Sequence, residues 1–167
     1  MKDTTKKKNL KSIRDNYSNG SVGDFLVDNI EDNSNLSFVT AYFTIYAYEK
    51  LKSQLDNVSS LRLLFGEPRF IKGVVSSTDA KNYKIEDDKL VIPVENRLQQ
   101  KVLAKQCADW IRNKVEIKSM IRPDFLHGKL YHIEKPNGVE EAVTGSSNFT
   151  VNGLGLGLKP NIELNLV

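Results

Sequence analysis

The chain is poor in the residues that announce most chemistries. It has one cysteine, Cys107, and two histidines, His127 and His132, in 167 residues. One cysteine excludes an internal disulfide framework and fits a reducing cytoplasm. No Cys/His/Asp spacing has the pattern of a zinc site, and HGKLYHIE is not the H-E-x-x-H of a metalloprotease helix. A phosphate-cradling glycine loop is missing as well. No apolar run approaches the roughly 18 residues of a membrane span, and no strong amphipathic stretch marks an interfacial helix. The start, MKDTTKKKNLK, is charged with no apolar core behind it, unlike a secretory signal. The net charge of +3, with a pI near 8.9, is a mild basic tilt compatible with an anionic partner. The expectation is a soluble, cytoplasmic domain without membrane contact, metal or cofactor.

What is present is ordinary globular material, 40% apolar and 27% charged. Residues 1–8, polar and lysine-rich, are expected to be disordered, and residues 9–167 to form a single domain. Lys6, Lys7, Lys8, Lys11 and Arg14 make a basic arm, read as a solvated face with phosphate contact as the alternative. The last residues, 161–167, alternate like a strand and stop without a turn, which predicts a fragment of a longer protein.

In order, the spacing of Leu10, Ile13 and Tyr17 predicts a short helix, and Ser21 caps a second with Val22, Phe25, Leu26 and Ile30 inward. Residues 36–42 and 61–65 read as strands around a helix opened by Thr44. Such a βαβ unit implies some parallel sheet. Ligands gather beyond the carboxyl ends of parallel strands, so Tyr42, Phe43, Thr44, Gly66 and Glu67 are candidates to line a site, or else rim and core residues. Residues 89–93 suggest an edge strand, and 96–114 the longest helix. Leu103, Cys107, Trp110 and Ile111 share one face of that helix, which makes Cys107 a core thiol. Strands follow at 115–121, 128–134 and 141–144.

The chemistry concentrates after residue 126. On a strand, His127 and Lys129 project to one face and His132 and Glu134 to the other. An imidazole beside an ammonium can hold a phosphoryl group while one of them reacts with it. Ser146 and Asn148 share a face if extended and supply neutral donors, and Gly145 permits close backbone approach. Glu163, expected on the terminal strand, is placed to accept from one nitrogen of His127 and fix its tautomer.

The order His127-x-Lys129-x4-Glu134, then Gly145-Ser146-x-Asn148, resembles the HKD signature of the phospholipase D superfamily, HxKx4D followed by GSxN. Asn161-x-Glu163 is similar to the carboxylate segment of that superfamily's nucleases, and the run from Gly145 to Val167 to the domain found in restriction-type nucleases and bacterial helicases. The motifs cover about the last quarter of the chain. The resemblance implies an α/β fold with a mixed, largely parallel sheet flanked by helices on both faces. Glu134 departs from the family's aspartate, in a role read as structural. The single H-x-K is the larger departure, since the family builds one site from two motifs, and a homodimer supplies the second.

What the resemblance implies is a metal-independent phosphodiesterase. One His127 would attack phosphorus and the other protonate the leaving oxygen, with Lys129, Ser146 and Asn148 of both copies on the equatorial oxygens. DNA is the expected substrate, and a helicase region is a possible companion in a longer chain. The alternative is a non-catalytic DNA-binding or dimerisation module of a helicase-like protein.

Overall fold

The computed structural model describes residues 12–66, 94–120 and 126–167. Where the spacing of Ile13 and Tyr17 predicted a helix, Ile13–Arg14 form a short strand, β1, followed by a tight turn. The Asp15 carboxylate accepts from Tyr17 N at 2.8 Å and Asn19 N at 3.0 Å, and Asn16 takes a left-handed φ of 64°. A side chain that satisfies nearby amides in this way outcompetes a helix. Leu10, the four arm lysines, Glu67 and the strand expected at 89–93 lie outside the described residues.

Ser21 starts the first helix as its sequence requires. Its hydroxyl accepts from Asp24 N at 2.9 Å while Asp24 returns the bond to Ser21 N at 3.2 Å. This capping box opens α1 (Val22–Asn29). Strand β2 (Asn35–Thr40) leads into α2 (Ile45–Lys50), capped by Thr44. The helix is interrupted at Leu51 and resumes as α3 (Lys52–Leu55). Strand β3 (Ser60–Phe65) then returns parallel to β2, with Phe38 opposite Leu63. The long α4 (Val94–Lys114) feeds β4 (Val115–Ser119), parallel to β3. On the other side of β2 come β5 (Lys129–Glu134), β6 (Glu140–Gly145) and β7 (Asn165–Leu166), giving the order β1-β7-β6-β5-β2-β3-β4.

The sheet corrects the expected architecture. Of its six neighbouring pairs only β2–β3 and β3–β4 are parallel, and the other four are antiparallel. The sheet is therefore mixed and mostly antiparallel. The short turn at residues 135–138, closed by Gly138 N donating to Lys135 O at 2.9 Å, can only send the chain back antiparallel.

Helices on both faces are also absent among the described residues. Leu36, Phe38, Leu61, Leu63, Tyr131, Ile133 and Val143 are buried in one core cluster with Leu26, Tyr48, Leu55, Cys107 and Trp110 from the helices. The strand residues of opposite parity, Ser37, Arg62, Lys118 and His132 among them, are all half-buried or exposed. Strands covered on both faces would be apolar at both parities, and these alternate. The face argument for Cys107 holds: the thiol is buried, and burial pushes its pKa up to about 11. No helix among the described residues is long and apolar enough to cross a membrane.

Helix α4 is joined to the end of α3 by one buried bond, Trp110 Nε1 to Leu55 O at 2.9 Å. Trp110→Phe keeps an aromatic ring against Tyr48 but leaves that carbonyl unpaired. The variant is expected to lose about 2–4 kcal/mol from the unmade bond and the reduced packing, read as a lower urea midpoint at unchanged m.

Candidate active site

Three strand ends are drawn together where the motif residues lie. Lys129, the first residue of β5, pairs with Gly145 at the end of β6, and Gly145 pairs with Asn165 at the start of β7. A Cβ on Gly145 would stand 2.2 Å from Leu164 O and 2.7 Å from Asn165 Cα, so a residue without one is required. Asn165 is buried and works in both directions. Its amide nitrogen donates to Ser147 Oγ at 3.0 Å and Arg14 O at 3.1 Å, and its oxygen accepts from Ser147 N at 3.2 Å. The Tyr131 hydroxyl donates to Ser147 O at 2.8 Å, and burial pushes that phenol far above its ordinary pKa, so it remains a donor.

Lys129 is half-buried, and its ammonium donates to His127 O at 2.8 Å. That engages one of three N–H groups. His127 is exposed, and its ring has no hydrogen-bond partner among the described residues. Its position follows from Leu126. A Cβ on Gly66 would lie 3.1 Å from that of Leu126 and 3.3 Å from Ala41 Cα, so the loop carrying His127 passes over the carboxyl ends of β2 and β3. That is where the parallel strands led a ligand to be expected.

Asn148 is fixed from the same strand ends. Its side-chain oxygen accepts from Ala41 N and Tyr42 N, each at 3.2 Å, with Thr40 Oγ1 a further 3.4 Å neighbour whose proton goes to Tyr42 O at 2.9 Å. Two backbone N–H donors on one atom settle which end of the amide is oxygen. The NH2 group has no partner among the described residues and is left as a donor.

Ser146 and Glu163 meet directly. The Ser146 hydroxyl donates to Glu163 Oε2 in a short hydrogen bond and accepts from Leu164 N at 3.0 Å. Glu163 Oε1 accepts from Asn161 Nδ2 at 3.3 Å. No hydrogen bond joins Glu163 to His127 in the single chain, and the Ser146 proton faces a carboxylate. Glu163 also precedes the terminal strand, because that strand spans Asn165–Leu166 alone.

Glu134 stands apart. It ends β5 opposite Asn35 and Glu140, exposed, and its carboxylate makes no hydrogen bond or ion pair with any described residue. His132, on the uncovered face, lies 3.0 Å from Glu140 Oε2. A hollow of about 280 Å3 also opens on that face, lined by Val39, Leu64 and Leu130 among others, and His127 is not among its lining residues. Among the described residues no cluster of His, Cys, Asp or Glu side chains could hold a metal ion.

Sequence reading missed Thr40, Tyr131, Ser147 and Asn165, the side chains that hold this edge together. Asn165 gave no signal, because in the alternating run 161–167 it takes the polar parity expected to face water, yet it is buried while Leu164 and Leu166 are exposed. Thr40 gave none either, because threonine is common in strands. Gly145→Ala is expected to part β6 from β7 and destabilise the protein by about 1–3 kcal/mol, visible as lower melting and faster amide exchange at residues 144–147.

No family model and no curated protein matches the chain.

Proposed function

We propose that the chain is a metal-independent phosphodiesterase, a nuclease module acting on DNA, with one active site formed across a homodimer. One observation carries the reading: Lys129 and the locked Asn148 carboxamide converge on the sheet edge crossed by the His127 loop, each with N–H groups still unused. A fixed positive charge, a fixed neutral donor and an exposed imidazole are the groups a phosphodiester needs. The resemblance to the phospholipase D superfamily points the same way.

In the proposed reaction a ring nitrogen of one His127 forms a bond to phosphorus as the bond to the leaving oxygen breaks. His127 of the second copy donates a proton to that oxygen. Water then attacks the phosphohistidine, losing its proton to the second histidine, and the first leaves as free imidazole. Two Lys129 ammoniums balance the charge that gathers on the equatorial oxygens, the part a divalent ion plays elsewhere. A two-fold axis beside exposed His127 would bring both rings to one phosphate. Ser146 joins the grip when its hydroxyl leaves Glu163, which is then free to orient a histidine.

The second reading, a non-catalytic DNA-binding or dimerisation module, is favoured by two features. Among the described residues the His127 ring has no orienting partner, and the Ser146 hydroxyl is engaged by Glu163.

In EDTA, the dimer is expected to cleave bis(p-nitrophenyl)phosphate and DNA, and His127→Asn to lower turnover by about 10²–10⁴-fold or more. DNA binding without any His127-dependent turnover would establish the second reading instead. Glu163→Gln keeps the shape of the Ser146 contact while removing its charge. It is expected to reduce kcat and leave the melting temperature nearly unchanged, and wild-type kcat would remove Glu163 from the mechanism.

A further inference from the structure

Three consecutive residues beyond β2 were candidates to line a site, and the structure separates them. Phe43 lies flat on Phe149, ring centroids 5.2 Å apart and 2° from parallel, so it belongs to the packing. Thr44 is the cap of α2. Tyr42 is left over. Its side chain is 50% exposed, and neither its ring nor its hydroxyl makes a hydrogen bond or aromatic contact with any described residue. The other exposed tyrosines differ in this respect: the Tyr17 hydroxyl donates to Pro160 O, and the Tyr46 hydroxyl accepts from Gln100.

The Tyr42 backbone, in contrast, is held from both sides. Its N–H donates to Asn148 Oδ1 at 3.2 Å, and its carbonyl accepts from the buried Thr40 hydroxyl at 2.9 Å. A backbone held at two points thus carries a large, half-exposed ring beside the amide proposed to bind phosphate. The exposed half of the ring is open to a ligand, and the fixed backbone limits the entropy lost on contact.

We infer that Tyr42 is a stacking platform for the nucleobase attached next to the phosphate at Asn148. The inference rests on the phosphodiesterase reading and narrows its substrate class to single-stranded nucleic acid. A base inside a duplex has both faces occupied by its neighbours, whereas an unpaired base offers a free face to an aromatic ring. Stacking is indifferent to base identity, so the platform selects strandedness rather than sequence.

The test uses the full chain carrying His127→Asn, so that the probe is not cut. A short fluorescent single-stranded oligodeoxynucleotide and its abasic counterpart, with the same phosphates and no bases, are titrated by anisotropy. The parent should bind the base-bearing strand more tightly than the abasic one. Adding Tyr42→Ala should weaken binding to the base-bearing strand by about 5- to 150-fold and leave the abasic Kd unchanged, and Tyr42→Trp should restore the difference. Equal weakening of both strands, or no weakening of either, overturns the platform while the phosphate site stands. If the folded parent binds neither strand, the nucleic-acid reading fails and the platform with it.

Discussion

Where β2 ends, its last amides have no neighbouring strand to receive them, and one side-chain oxygen takes both. Asn148 Oδ1 accepts from Ala41 N and Tyr42 N, while Phe149 N donates to Thr40 Oγ1 at 3.0 Å and Thr44 N to Phe149 O at 3.1 Å. A buried amide left unpaired costs about 1–3 kcal/mol, which holds Phe149 N to Thr40, while the bonds from the part-buried Ala41 N and the exposed Tyr42 N add less. This joint couples the parallel half of the sheet, β2 with β3 and β4, to the chain leaving β6. Everything proposed for the site depends on it: the orientation of the Asn148 amide, the place of Tyr42, and the approach of the His127 loop over Gly66.

The second organising constraint is the one-sidedness of the sheet. A single set of alternating apolar residues is buried beneath all four described helices, and Lys129 shares the parity of the buried Tyr131 and Ile133. The lysine is therefore half sheltered at the margin of the core while its ammonium emerges at the edge. On the opposite face, the cross-strand row nearest the site, Leu166, Thr144, Leu130, Val39, Leu64 and Lys118, is apolar at four of its six positions. The next row, Ala142, His132, Ser37, Arg62 and Glu116, is mostly polar. Apolar character on this face thus rises toward the edge of the proposed site.

The Ser146–Glu163 contact shows how far a motif can be carried without geometry. Both residues were singled out, one as a phosphate donor and the other as a partner of His127, and the structure joins them to each other. In the single chain the carboxylate occupies the hydroxyl that the phosphate would use.

The sequence by itself determined the local elements and the two faces of β5. Capping by Ser21 and Thr44, the βαβ unit, the inward face of α4 with Cys107 and Trp110, and the separation of Lys129 from His132 and Glu134 all follow from interactions within a few residues or from strict alternation, whereas His127 precedes β5 and alternation does not place it. Tertiary structure decided the rest. The direction of β5, β6 and β7 relative to β2 sets the sheet as mostly antiparallel, and alternation within one strand carries no information about its neighbour's direction. The turn at Asp15 is the local exception, a carboxylate satisfying amides two and four residues on where apolar spacing pointed to a helix. The site's framework of Thr40, Ser147, Asn148 and Asn165 joins segments more than a hundred residues apart. Such partners are fixed by which buried donors would otherwise go unpaired, and that becomes defined only once the chain is folded.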